Sequence, residues 1–290
     1  MKLRSLLFVP GDSERKFAKA QACGADALIL DLEDSVAPSM KLGARVHVAW
    51  RVADGDARPW RCFVRINPFE TGLTLGDLAA VVRPGLDAVL LPKCDSAADV
   101  DQLGHYLDAF EQAAGMAVGT TRIAIVATET PAALFALGSY TPPHPRLIAL
   151  TWGAEDLGAA IGASENKEAD GSWTFPYQLA RAQCLIAAAA AGVQPIDTLY
   201  ADFRGQAGLA ADCRRALRDG FTGRLAIHPD QVATINESFS PTEAQVAHAR
   251  QVVAAFAEQP EAGAIGIDGR MYDIPHLKTA RRTLAAAGER

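Results

Sequence analysis

Eight short runs of Val, Ile and Leu recur along the chain without clear polar–apolar alternation. They are SLLFVP (5–10), ALILDL (27–32), CFVRIN (62–67), DAVLLPK (87–93), RIAIVATE (122–129), LIALTWG (147–153), PIDTLY (195–200) and GRLAIHP (223–229). Strands of a parallel sheet are covered on both faces and read as continuous apolar runs, so each run is predicted to be such a strand. Between them lie Ala-rich or amphipathic stretches that stop at glycine, among them SERKFAKAQACG, AADVDQLGHYLDAFEQAAG, FPYQLARAQCLIAAAAAG and QAGLAADCRRALRDG; DLAAVV stops at Arg83-Pro84. Eight alternations of strand and helix predict an α/β fold, a (β/α)8 TIM barrel. An open doubly wound sheet is the competing architecture, but no GxGxxG follows the first run to support its dinucleotide-binding form. We expect the barrel over residues 1–258 and a small helical appendage over 259–290, built from a Gly-rich link, a turn and a basic helix. The polar segment SENKEADGSWTFP (164–176) is the expected irregular loop, of a length that is more often functional than not.

Composition narrows the function classes. The chain has 290 residues, 49% of them hydrophobic, enough for a sizeable core. Its net charge of −6 comes without a basic stripe, which argues against nucleic acid as a partner. Five scattered cysteines with no CxxC pair predict reduced thiols rather than a disulfide framework or a zinc site. Pro10 and Gly11 interrupt the first apolar run too early for a signal peptide, and CLIAAAAAGV near residue 184 is too short to cross a bilayer. Together these predict a soluble cytoplasmic protein without a membrane partner.

In a barrel of this kind the site lies at the C-terminal ends of the strands. The residues predicted there are Asp12, then Asp31, Glu33 and Asp34, then Arg65 and Asn67, Lys93, Glu129, Glu155 and Asp156, Asp202 and Arg204, and His228. Burying so much charge is costly unless it is paired or holds a metal. Oxygen-only donors select a hard cation such as Mg²⁺, which takes one or two carboxylates and fills its shell with water and substrate. Glu129 and Asp156, from adjacent strand ends, are the best pair; Glu33 and Asp34 would orient the ligands or the substrate. Arg65 suits an anionic substrate, because a guanidinium holds a carboxylate in bidentate fashion; alternatively it only neutralises Glu33 or Asp34. A metal site already supplies an electrophile, which argues against a Schiff-base role for Lys93. Arg15, Lys16 and Lys19 at the opening of the first helix could face phosphate or simply solvent.

The segments RSLLFVPGDSERKFAKA, GADALILDLEDSVAP, FVRINPFETG, DAVLLPKCDSAADV, ATETPAAL, LTWGAEDLGAAIG, IDTLYADFRGQAGL and AIHPDQVATIN run in order from residue 4 to 236. With them the chain resembles the citrate lyase β-chain-like branch of the HpcH/HpaI aldolase superfamily. The resemblance implies a Mg²⁺-binding TIM barrel that makes or breaks a carbon–carbon bond in a 3-hydroxyacyl thioester. By that match Glu129 and Asp156 are the metal ligands. Arg65 binds the oxoacid, and Arg15 and Lys19 face coenzyme A. The tail GRMYDIPHLKTA (269–280) resembles free-standing malyl-CoA and citramalyl-CoA lyases, in which the corresponding Asp reaches a neighbouring subunit's site; here it is Asp273. The resemblance thus implies a homo-oligomer, a trimer or hexamer. Asp273 also has the setting of a helix cap, with Pro275 in the first turn. The alternatives are a citrate lyase β-type subunit acting on a carrier-bound thioester and a CoA-independent metal-dependent aldolase.

Overall fold

The structure, a computed structural model, describes residues 3–53 and 58–289. Eight strands close into a parallel barrel: β1 (Ser5–Pro10), β2 (Ala27–Asp31), β3 (Arg61–Arg65), β4 (Ala88–Leu91), β5 (Arg122–Val126), β6 (Leu147–Thr151), β7 (Gln194–Asp197) and β8 (Gly223–Ala226), with β8 pairing back onto β1. The helices between and after them are α1 (Glu14–Ala20), α2 (Lys41–Ala53), α3 (Thr74–Val81), α4 (Ala97–Ala113), α5 (Pro131–Ala136), α6 (Glu155–Ile161), α7 (Phe175–Ala191), α8 (Gln206–Asp219) and α9 (Gln231–Ser238). The barrel expectation therefore holds, and every one of the eight apolar runs is a strand.

Successive residues of a strand point to opposite faces, so each run supplies two apolar sets. Leu6, Ile29, Phe63, Leu90, Val126 and Leu225 belong to one interior cluster, which makes the barrel a packed core and not a pore. Leu28, Leu30, Val64, Leu91 and Ile125 alternate with that set and are equally buried, which is why the strands carry no polar alternation. Helix ends follow local chemistry. Ser96 and Asp99 form a reciprocal capping box at the start of α4, and Gly192 takes the left-handed conformation that ends α7.

Seven of the eight strands stop earlier at their C-terminal ends than the apolar runs do; β1 ends with its run at Pro10. Asn67, Lys93 and Glu129 fall just past the last ladder residue of β3, β4 and β5. Lys93 has φ +50°, which turns the chain out of the sheet after β4. The residues that carry the rim chemistry thus sit on short turns anchored by the barrel.

The chain divides into two compact units, Leu3–Asn236 and the segment from Glu237 onward. The second contains α10 (Glu243–Glu258), the hairpin β9 (Ala264–Ile267) and β10 (Arg270–Asp273), and α11 (Ile274–Ala287). Ala249, Val252, Phe256, Ile265 and Leu277 form its own core. The division precedes residue 258 because α10 packs with α11 and the hairpin in that core. The hairpin replaces the plain turn expected there. Its two turn residues, Asp268 and Gly269, have φ +50° and +75°, the left-handed pair that a two-residue hairpin loop requires. Among the described residues no helix is long and apolar enough to cross a membrane.

Candidate active site

The register of β2 against β3 places Asp31 beside Arg65. Their side chains meet in a fork: Arg65 Nε donates to Asp31 Oδ1 at 2.7 Å and Nη2 to Oδ2 at 2.8 Å. The backbone N–H groups of Glu33 and Ser35 also donate to the Asp31 carboxylate, at 2.9 and 3.1 Å. Burial pushes the Asp31 carboxyl up, but Arg65 and these hydrogen bonds outweigh it and hold it below the usual carboxylate range. The alternative in which Arg65 only neutralises Glu33 or Asp34 leaves out its principal partner, Asp31. The bidentate Nε–Nη2 edge is occupied, so Arg65 offers a ligand its Nη1 side, 2.8 Å from Glu33 Oε2 and 3.8 Å from Asp34. The Arg65–Glu33 approach is close but poorly directed, leaving Glu33 Oε2 without a hydrogen bond.

From Arg65 the charges alternate in sign across the rim. Glu33 hydrogen-bonds the Lys93 ammonium through Oε1, and that ammonium lies 3.2 Å from Asp156 Oδ1. The Lys93 backbone N–H donates to Glu129 Oε2 at 2.6 Å. Burial opposes the Lys93 charge, but the hydrogen bond to Glu33 and the surrounding carboxylates raise its pKa, which keeps the amine protonated and unsuited to Schiff-base chemistry. Glu129 is nearly fully buried. Burial, reinforced by the Asp156 charge, pushes its pKa up to about 8, against the opposing Lys93 contacts. Gly153 makes room for this side chain, since a Cβ there would stand 2.6 Å from Glu129 Cγ. Asp156, in the first turn of α6, is more open.

Part of this charged rim faces one cavity of about 1220 Å³. Asp34, Arg65, Glu129 and Asp156 line it, and so do the exposed Arg15 and Lys19 of α1. Glu33 is buried and is not part of the cavity wall; it contacts Arg65 and Lys93. The barrel thus brings together the expected site residues Arg15, Lys19, Glu33, Asp34, Arg65, Glu129 and Asp156. Asp273 belongs to the second unit, where it caps α11: its carboxylate accepts from His276 N at 3.4 Å and bonds the His276 ring, which holds its pKa below the usual range. The capping role that Pro275 suggested is therefore present. Asp202 caps its own loop through the N–H groups of Arg204 and Gly205. His228 lines the cavity, stacked on Phe203 at 5.0 Å between centroids.

Several supporting residues escaped sequence reading. Lys41 Nζ donates to the carbonyls of Leu32 and Glu33 and to Asn67 Oδ1, each at 2.8 Å. Asp77 accepts from Asn67 N and Nδ2 at 2.9 and 2.7 Å and from Arg45 at 2.8–2.9 Å. Lys41 and Asp77 thereby pin the turns that carry Glu33 and Asn67. Trp152 and Trp173, which also line the cavity, pack edge-to-face at 5.0 Å. Trp173 comes from the loop expected over 164–176, so that segment does contribute to the cavity.

Trp152 Nε1 donates to Asp197 Oδ1 at 2.6 Å, and Asp197 also accepts from Arg224 at 2.7 Å and Arg181 at 3.2 Å. The β7–β8 register sets Asp197 beside Arg224, and both are buried. Asp197→Ala removes one of two carboxylate partners of the buried Arg224 and the anchor of Trp152. Breaking a buried pair from one side costs roughly 3–5 kcal/mol, so a large drop in the urea midpoint is expected. A loss under about 1 kcal/mol would contradict this assignment.

Comparison with known proteins agrees with this architecture. The family model described as HpcH/HpaI aldolase/citrate lyase matches residues 4–229. Human mitochondrial citramalyl-CoA lyase is 33% identical over 300 residues, covering 98% of this chain and 85% of that protein. The citrate lyase subunit beta of Haemophilus influenzae is 32% identical over 290 residues, covering 99% of this chain and 98% of that one. Among solved structures, CitE from Mycobacterium tuberculosis in complex with magnesium, acetoacetate and coenzyme A matches with a TM-score of 0.77 and 33% identity, over 99% of each chain. With a closed barrel, a carboxylate-rich rim and a family match over most of its length, this chain belongs to the HpcH/HpaI aldolase/citrate lyase family.

Proposed function

We propose that the protein is a Mg²⁺-dependent carbon–carbon lyase that cleaves, or in reverse forms, a 3-hydroxyacyl-CoA such as citramalyl-CoA or malyl-CoA, giving acetyl-CoA and pyruvate or glyoxylate. The observation that carries this reading is one cavity lined both by the carboxylates Glu129 and Asp156 and by the cations Arg15 and Lys19 of α1. The solved relative holding magnesium, acetoacetate and coenzyme A supports the same pairing of ligands.

The donor set fits a hard cation. Glu129 and Asp156 offer oxygen only, and among the described residues the buried Glu129 carboxyl accepts from a backbone N–H and from no lysine or arginine side chain. Among the described residues no group of three or more metal-ligating side chains gathers, which suits Mg²⁺ with one or two carboxylates and several exchangeable positions. When bound, the cation would act as a Lewis acid on the substrate oxygens. Arg65, anchored by Asp31, would hold the oxoacid through its Nη1 side and stabilise negative charge developing on oxygen as the bond breaks. Glu33 and Asp34 would orient Arg65 and the substrate. Arg15 and Lys19 would hold the phosphates of coenzyme A, while Trp152 and Trp173 exclude water. Asp273 of a neighbouring subunit would give a proton to the acetyl carbon in cleavage and remove one in condensation. That role requires a homo-oligomer, a trimer or a hexamer.

The citrate lyase relative raises a second reading, a subunit acting on a carrier-bound thioester. The two differ in whether the isolated chain turns over. Purified protein should cleave the CoA ester without any other polypeptide, and should not cleave the free hydroxy acid. Activity on the free acid, unchanged by added CoA, would favour a CoA-independent aldolase.

Cation binding should also follow pH. With the Glu129 pKa at about 8, binding must displace its proton at neutral pH. Mg²⁺ affinity is expected to fall about tenfold per pH unit below about 8 and to level off above it. Calorimetry in buffers of different ionisation enthalpy should register close to one proton released at pH 7. A flat profile between pH 6 and 9 would remove Glu129 as the titrating ligand.

A further inference from the structure

We infer that Lys93 is a positioning residue: its ammonium is a fixed monocation that holds Glu33 and Asp156 in place and sets how tightly the Glu129–Asp156 pair takes a divalent cation. The inference rests on the metal reading above. Three features of one residue carry it. Lys93 is held at φ +50°, uncommon for a residue with a Cβ. That conformation aims its backbone N–H at Glu129 Oε2, 2.6 Å away. Its side chain then turns to the other carboxylates, hydrogen-bonded to Glu33, 3.2 Å from Asp156 Oδ1 and 3.8 Å from Asp34 Oδ2.

A lysine that merely satisfied one buried acid would need neither the unusual backbone nor contact with both halves of the site. Here the backbone amide orients one proposed ligand and the ammonium neutralises the other. Glu33 is shared between Lys93 and Arg65, so the same ammonium links the cation end of the site to the oxoacid end. A positive charge this close to the carboxylates opposes a divalent cation electrostatically. It also relieves repulsion among the carboxylates when no cation is bound. Lys93 would therefore weaken Mg²⁺ binding while keeping the two carboxylates in register.

The test is a calorimetric titration of MgCl₂ into the intact protein and three variants, with folding checked by circular dichroism. Lys93→Met keeps the unbranched stem and the backbone cost but removes the charge. Lys93→Gly removes the charge and relaxes the backbone. Lys93→Arg keeps the charge. Both neutral variants are expected to bind Mg²⁺ at least about tenfold tighter than the unaltered protein, about 1.4 kcal/mol, with the arginine variant within about threefold of it. Equal or weaker binding by the neutral variants would overturn the inference while leaving the metal reading intact. An unaltered protein that takes up no Mg²⁺ would overturn both.

Discussion

Glu129→Ala is expected to abolish measurable Mg²⁺ binding and to lower turnover by well over a hundredfold. Loss of a residue that only supports a metal ligand already costs about 10–100-fold in affinity or activity, and Glu129 is proposed as a ligand itself. Aspartate at 129 should restore little, because the carboxylate is set by the Lys93 N–H on one side and the bare Gly153 on the other. A second readout needs no substrate. The folded-state pKa of Glu129, about 8, lies above its ordinary 4.5. The stability this group contributes is therefore fully present below about pH 4.5 and is lost as pH rises through about 8. Metal-free protein should thus lose stability over that window, by an amount on the order of a few kcal/mol, at about 1.4 kcal/mol per unit. Glu129→Ala should lack that part of the loss, and added Mg²⁺ should reverse it in the unaltered protein alone. Urea unfolding at pH 5, 7 and 9, with and without MgCl₂, measures both effects. If Glu129→Ala keeps Mg²⁺ affinity, the pair is misassigned.

Asp273→Asn should lose about 10²–10⁴-fold in turnover, the usual contribution of a general acid or base, while Mg²⁺ affinity stays the same. The substitution is informative because asparagine caps helices as well as aspartate does, so α11 should keep its start. His276→Ala is the complementary control. It breaks the reciprocal capping box and leaves the carboxylate, so it should affect stability more than turnover. If Asp273 acts in a neighbouring subunit's site, mixed oligomers of Asp273→Asn and Glu129→Ala chains should regain activity that neither has alone. Some mixed sites then combine an intact carboxylate pair from one chain with an intact Asp273 from the other. Wild-type turnover in Asp273→Asn would end the acid–base assignment. Lost turnover without any recovery in mixed oligomers shown to contain both chains would contradict action across subunits.

The barrel was legible because strands buried on both faces leave continuous apolar runs, and all eight were read. Their C-terminal limits were not, since Asn67, Lys93 and Glu129 continue the run while turning away from the ladder. The charged rim was legible as a set of strand ends. Its pairing was not, because the Asp31–Arg65 fork depends on a strand register that connects residues 34 apart in sequence. Lys41 and Asp77 were missed for the same reason: each supports the site from a helix, and a lone charged residue on a helix carries no signal of its target. The β9–β10 hairpin did leave a signal, Asp268-Gly269 between two short apolar segments, but both strands carry exposed residues and read as loop.

The crowding of Asp31, Glu33 and Asp34 at the end of β2 also has a physical account. Asp31 fixes Arg65, Glu33 bridges Arg65 to Lys93, and Asp34 reaches the cavity. Each negative charge is set against a cation, so the rim holds its charge in alternation and leaves Glu129 and Asp156 facing the cavity.

The most direct measurement is a Mg²⁺-dependent cleavage assay on (S)-citramalyl-CoA and malyl-CoA side by side, with the purified protein alone and every product acid identified. The expected result is acetyl-CoA with pyruvate from the first, or acetyl-CoA with glyoxylate from the second, and no reaction when EDTA removes the cation. Protein that binds Mg²⁺ yet cleaves neither ester, or that releases only the free hydroxy acid and CoA, would contradict it.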